Sequence, residues 1–161
     1  VQGALDRMAV KITERLAEAC PLVLAVMVGG VIPAAELLAR LAFPLQLDYL
    51  HVTRYRGGTR GGDLRWLVRP AQSLEDRVVL VVDDILDEGL TLQEIIGYCR
   101  QAGAREVYSA VLLEKQCARD PAIRSADFTG LPVADRYVFG YGMDYKGYLR
   151  NARGIYAVRG L

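Results

Sequence analysis

A single histidine, His51, is all the imidazole in this chain of 161 residues. A Ser-His-Asp or Cys-His system therefore has nothing to be built from, and His51, near the end of a strand-like run, reads as a packed or surface residue. Cysteine is scarce too: Cys20, Cys99 and Cys117 are odd in number and far apart. That spacing supports neither a disulfide framework nor a paired-thiol metal site, and reads as reduced core thiols of a cytoplasmic protein. Excess charge is missing, since 20 Lys and Arg against 19 Asp and Glu give a formal net charge of +1. Such balance argues against a nucleic-acid coat or a membrane-surface protein. No apolar run approaches the roughly 20 residues of a membrane span, and no signal-peptide pattern is visible at the start. The chain opens at Val1 rather than Met, which leaves room for a segment upstream. There is no internal repeat and no low-complexity tract. No G-x-G-x-x-G follows the first apolar run, against a dinucleotide oxidoreductase. What is present is apolar: 52% of the residues are hydrophobic, enough for one folded domain with a real core.

Leu5, Met8, Ala9, Ile12, Leu16 and Ala19 recur at helical spacing, predicting a helix over 3–20 that Pro21 stops. Leu22–Val28 reads as a strand covered on both faces. Gly29-Gly30 breaks it, and Ile32–Leu41 reads as a helix with Pro33 in its first turn. Pro44–Thr53 and, more weakly, Leu64–Val68 read as strands around a glycine-rich loop, Arg54–Asp63. Val78–Val82 and Val107–Leu113 read as further core strands. Between them Thr91–Gln101 reads as a helix, with Thr91 and Glu94 as a capping box and Gly103 ending it. Strands alternating with helices predict an α/β fold: a mostly parallel sheet with helices on both faces. Ligands of such sheets sit at the carboxyl ends of the strands, near a switch point. After Lys115 the pattern changes, and Asp127–Leu161 carries turns, aromatics and short strands. We expect one domain over 1–161, with a core of roughly 1–118 and a small C-terminal lid or hood of roughly 119–161, possibly lacking an N-terminal hood segment.

The most informative segment is Val78–Leu92, VVLVVDDILDEGLTL. A buried strand that runs into Asp83 and Asp84, then a glycine turn, then a helix start, suits a sugar phosphate. The free amides of the helix N-terminus hold the phosphate, and the paired acids are placed to grip ribose hydroxyls and a magnesium ion. An ordinary strand-to-helix turn with acids at the positive helix end is the plainer alternative.

This segment resembles the phosphoribosyl-pyrophosphate (PRPP) motif of the type I phosphoribosyltransferases. The resemblance implies that Asp83 and Asp84 face the ribose hydroxyls and Mg2+, while Asp87, Glu88, Gly89, Leu90 and Thr91 wrap the 5-phosphate. It makes Asp87 the catalytic base beneath the anomeric carbon. Glu88 stands where many relatives carry Thr or Ser, and Leu90 offers no polar group. Farther on, Lys115 and the stretch DRYVFGYGMDYKGYLRNARGIYAV over 135–158 resemble the hypoxanthine-guanine phosphoribosyltransferases, and the likeness extends over nearly the whole chain. By that resemblance Lys115 donates to the six-oxo oxygen of a purine, Tyr137 stacks on it and Val138 offers backbone groups to its edge. Asp144 helps hold a magnesium ion through water, and Arg150 meets pyrophosphate. Val28, Gly29 and Gly30 fall in the first pyrophosphate loop, where the family sometimes has a non-proline cis peptide and where many relatives carry Lys at the position of Val28. Arg54 and Tyr55 stand in the mobile lid, where relatives usually show Ser-Tyr. The lid's arginines and glycines also resemble an RNA-binding tract, but one short copy in a nearly neutral domain is weak support for it.

The implied activity is purine salvage: phosphoribosyl transfer from PRPP to hypoxanthine or guanine, giving IMP or GMP and pyrophosphate. Its partners would be PRPP, a 6-oxopurine base and the nucleotide product, with no nucleic acid and no membrane, in a homodimer or homotetramer. A xanthine-preferring relative and a non-catalytic PRPP-sensing regulator are the alternatives. The regulator calls for a broad basic face, which a net charge of +1 does not suggest.

Overall fold

The computed structural model describes residues 1–54, 64–117 and 125–159. The first helix, α1 (Gln2–Leu16), buries Ala4, Leu5, Met8, Ala9, Ile12 and Leu16 on one stripe. It ends earlier than its apolar pattern suggests, because Cys20 takes a positive φ of 46° and turns the chain before Pro21. β1 (Leu22–Met27), α2 (Val31–Leu38), β2 (Gln46–Arg54) and β3 (Leu64–Val68) follow. Then come β4 (Val78–Leu86), α3 (Leu90–Gln101), β5 (Glu106–Gln116) and β6 (Phe128–Ala134). The chain finishes in a small ribbon, β7 (Val138–Phe139) with β8 (Tyr156–Ala157).

Six strands form one sheet in the order β3-β2-β1-β4-β5-β6. All neighbours are parallel except β2 and β3. The helices α1 and α2 cover one face, where Val23, Ala25, Val78, Leu80 and Val82 meet Leu5, Met8, Ile12 and Leu37. On the other face Leu22, Leu24, Val79 and Val81 meet Leu92, Ile95 and Cys99 of α3. Alternate residues of β1 and β4 thus serve opposite cores, which is why these strands read as unbroken apolar runs. The chain leaves β1 toward β2 on one side and later returns to β4 on the other, so a topological switch point lies between β1 and β4.

Three expectations change. β4 does not end at Val82 but continues through Asp83 and Asp84 to Leu86, paired with β5 as far as Glu114. Phe128–Ala134, expected in the hood, is the edge strand of the main sheet beside β5. Of the cysteines only Cys99 is a core thiol; Cys20 is exposed and Cys117 half-buried, all three free. Burial pushes the Cys99 thiol up to about 11.

Beyond α2 the sheet is left partly uncovered. Leu47, Tyr49 and Leu67 of β2 and β3, with Val28 and Val31 beside them, are exposed apolar side chains. A groove of about 390 Å³ runs between α2 and β2 along Met27, Val31, Leu38, Leu47 and Tyr49. Among the described residues no helix is long and apolar enough to cross a membrane.

Candidate active site

The carboxyl ends of β1 and β4 meet at the switch point. Their register pairs Ala25 with Val82, so the turn after Met27 lies level with Asp83 and Asp84. The Met27–Val28 peptide is cis, in the loop where the resemblance allows one. A Cβ on Gly29 would fall 2.0 Å from the Asp84 carboxylate, and one on Gly30 would fall 2.7 Å from the carbonyl oxygens of Val26 and Val82. Only glycine lets this loop press against the acids.

The acids are costly where they sit. Burial pushes the Asp83 carboxyl well above the usual range, and the neighbouring charge of Asp84 adds to it. Asp84 is also raised by burial, with hydrogen bonds and the Arg150 cation pulling the other way. Asp83 accepts a 2.9 Å hydrogen bond from the Asp84 amide. Two adjacent carboxylates pushed toward neutrality in a cleft form a site that a cation would relieve.

Past Leu86 the chain bends through 87–89 into α3. Gly89 is the N-cap, with a left-handed φ of 85° and no capping side chain. Thr91 is therefore inside the first turn, and the expected Thr91–Glu94 capping box does not form: the left-handed glycine starts the helix one residue earlier. The opening amides of α3 are left without a side-chain cap and can meet an anion. Glu88 and Leu90 are exposed and Thr91 is half-buried at this turn.

Lys115, at the end of β5, reaches across to Asp87. Its Nζ is 2.9 Å from Asp87 Oδ2 and 3.5 Å from Asp135 Oδ1. Burial lowers the Lys115 pKa, but the two carboxylates outweigh it and hold the ammonium above its ordinary value. The C-terminal segment meets the switch point from the other end of the chain. Tyr141 and Met143 root it in the core under α1 and α2, where the Tyr141 hydroxyl accepts a 2.6 Å hydrogen bond from Gln2. Between them, Gly142 takes a φ of 109°, and a Cβ there would meet the Gly29 carbonyl oxygen at 2.1 Å. Arg150 donates to the Gly142 carbonyl at 2.7 Å and to Asp144 Oδ1 at 2.8 Å, while Asp144 Oδ2 accepts from the Gly147 amide at 2.7 Å. Tyr137, 39% exposed, lies edge-on to Tyr145 at 5.9 Å and donates to the Asp144 carbonyl. Val138 opens β7, opposite Ala157.

Two groups of residues predicted from sequence thus come together. Val28, Gly29, Asp83, Asp84, Asp144 and Arg150 gather around the switch point, and Asp87 contacts Lys115. Tyr55 and the side chain of Arg54 lie outside the described residues, so nothing follows for the lid. Sequence reasoning gave no role of their own to Asp135 or Gly142. Gly142 could have been found from the Gly-Tyr-Gly run at 140–142; Asp135 carries no such signal.

Comparison with known proteins now bears on these groups. Residues 2–146 match the family model described as phosphoribosyl transferase domain. The hypoxanthine-guanine phosphoribosyltransferase of Bacillus subtilis (strain 168) is 30% identical over 152 residues, 94% of this chain and 84% of that protein. The chain belongs to the hypoxanthine-guanine phosphoribosyltransferase family. The hypoxanthine-guanine-xanthine phosphoribosyltransferase of Tritrichomonas foetus is 29% identical over 151 residues, 94% of this chain and 82% of that one. Among solved structures, the hypoxanthine phosphoribosyltransferase from Trypanosoma cruzi, a mutant complexed with the product IMP, superposes with a TM-score of 0.88 at 27% identity, covering 99% of this chain and 86% of that one. A phosphoribosyltransferase sheet of this kind is what the described strands build, with the switch point at its centre.

Proposed function

We propose that the protein transfers the 5-phosphoribosyl group of PRPP to hypoxanthine or guanine, giving IMP or GMP and pyrophosphate. The observation that carries this reading is the 2.9 Å contact of Lys115 with Asp87 beside the uncapped start of α3. That contact would give a carbonyl-seeking donor and a proton acceptor at the turn leading into those uncapped amides. The 5-phosphate would sit on the amides of residues 87–91, with the Thr91 hydroxyl as a further donor. Asp83 and Asp84 would hold the ribose hydroxyls. Pyrophosphate would lie between the Val28–Gly29 backbone and Arg150, whose guanidinium suits paired phosphate oxygens. The purine would stack on Tyr137, with Val138 backbone at its edge and Lys115 at its six-oxo oxygen.

Magnesium fits the donors present. Asp83, Asp84 and Asp144 supply only oxygens, and no cluster of three or more ligating side chains exists among the described residues. Mg2+ takes one or two carboxylates and fills the rest with water and phosphate oxygens, so a full protein cage is not called for. When bound, the ion neutralises charge on the pyrophosphate leaving group.

In the reaction the bond from the anomeric carbon to pyrophosphate breaks and a bond to a purine ring nitrogen forms. The proton displaced from the imidazole ring passes to Asp87. The oxocarbenium character of the sugar makes positioning and electrostatics the main contributions. The exposed apolar face of α2, β2 and β3 supports a homo-oligomer in which a second copy covers it.

The test is steady-state turnover with PRPP, magnesium and each of hypoxanthine, guanine, xanthine and adenine. Hypoxanthine or guanine is expected to be the best substrate. Asp87→Asn is expected to lower kcat by about 10²-fold or more while leaving PRPP affinity nearly unchanged by calorimetry. Adenine as the best base would overturn the role of Lys115, and near-normal turnover of the Asp87 variant would overturn the base.

A further inference from the structure

Among the described residues Lys115 meets two carboxylates, Asp87 and Asp135, and the reading above gives work to only one of them. Its side chain is 13% exposed, against 49% for Asp87 and 63% for Asp135. The ammonium is thus the buried partner, and the acids reach it from the rim. The parallel register of β5 and β6 sets Lys115 beside Val133, and Asp135 follows two residues later, just past the strand end. Its place is therefore determined by the sheet edge and not by the phosphate turn. Asp87 approaches from the other direction, out of the bend between β4 and α3.

We propose that Asp135 is a positioning residue for base recognition: it keeps an ionic contact with Lys115 while Asp87 turns to the purine ring, so the ammonium stays aimed at the six-position. This rests on the roles given above to Asp87 and Lys115. Asp87 cannot take a ring proton and remain the sole anchor of Lys115. A half-buried ammonium released from its nearest carboxylate would swing toward whatever oxygen is available. With Asp135 retained at the rim, Lys115 loses one contact, gains the base oxygen and stays on the same side of the pocket. Because Asp135 is well exposed, solvent screens it and its influence is modest.

The experiment compares Asp135→Asn, Asp135→Glu and Lys115→Met in the full chain. KM for hypoxanthine, KM for PRPP and the preference for hypoxanthine over adenine, measured by competition, are read for each. Asp135→Asn is expected to raise the hypoxanthine KM about three- to fivefold and to lower the preference by a similar factor. PRPP KM and melting temperature should stay put, and Asp135→Glu should restore the native values. A general structural role would move both KM values or the melting temperature together, and that result overturns the proposal. So does an Asp135→Asn protein with unchanged hypoxanthine KM. Lys115→Met separates the two levels: if it removes the preference while Asp135→Asn does nothing, only the positioning role fails. If Lys115→Met keeps the preference, the reading of the base pocket fails and this proposal with it.

Discussion

Burial disfavours the ionised form of Asp83 in the folded chain, and the direction of its shift has a thermodynamic consequence. A carboxyl whose folded pKa is raised favours folding while protonated, and that advantage is lost as pH rises from the ordinary carboxylate range through the folded value. At pH 7, without ligand, Asp83→Asn is therefore expected to stabilise the protein. Denaturant titration at pH 7 and pH 4 checks it: the gain should shrink at pH 4, where the native carboxyl is already largely protonated. The same variant should lose PRPP affinity. Unchanged or lower stability at pH 7 would show that the acid is not under strain from burial. At this scale residue type and order singled out Asp83, Asp84, Asp87 and Lys115, and the structure sets the first two in the end of β4 and the last two 2.9 Å apart. The sequence was silent on Asp135, because the Lys115 contact depends on a strand register that adjacent residues do not encode.

The turn from β4 into α3 separates two roles for Thr91. As a cap, its hydroxyl would contribute about 1 kcal/mol to the helix. Here Gly89 is the N-cap and Thr91 lies one residue inside the helix. Thr91→Ala should leave stability within about 0.5 kcal/mol of native, while raising KM for PRPP if the hydroxyl meets the phosphate. Thermal melting paired with PRPP kinetics distinguishes the outcomes, and a clear loss of stability would restore the capping role. Element reading succeeded for β1 and the apolar half of β4, whose runs are clean, and also for the weaker β3 pattern at Leu64–Val68. It failed for β6. Gly130 and Pro132 interrupt that segment and argue locally against a strand, but Pro132 sits on the sheet edge, where its missing amide costs nothing. A Cβ on Gly130 would fall 2.5 Å from the Leu112 carbonyl oxygen and 2.9 Å from Met8 Sδ. The glycine is thus a packing requirement of the strand and not a sign of a loop.

For the molecule as a whole, the sheet and its two helical layers followed from alternating patterns, but the strand order did not. The jump from β3 across to β4, which creates the switch point, leaves no local trace in the residues. The uncovered face of β2 and β3 was equally hidden, since Leu47 and Tyr49 look like any strand residues until α2 is seen to stop short of them. If a second copy covers this face, Leu47→Glu combined with Tyr49→Glu should shift the protein to a smaller species in light scattering after gel filtration. Retention of the native mass would place the contact between subunits elsewhere.

The meeting of Gly142 with the Gly29 carbonyl is a weld between the C-terminal segment and the loop after β1. A Cβ on Gly142 would strike the Gly29 carbonyl oxygen and one on Gly29 the Asp84 carboxylate, so this point tolerates no redesign. Tyr137 and Val138 lie outboard of the weld, before Gly140 turns the chain inward. If the purine lies against Tyr137 and Val138 as proposed, altered preference among nucleobases is best sought at those two positions, which stand apart from the Gly142–Gly29 contact.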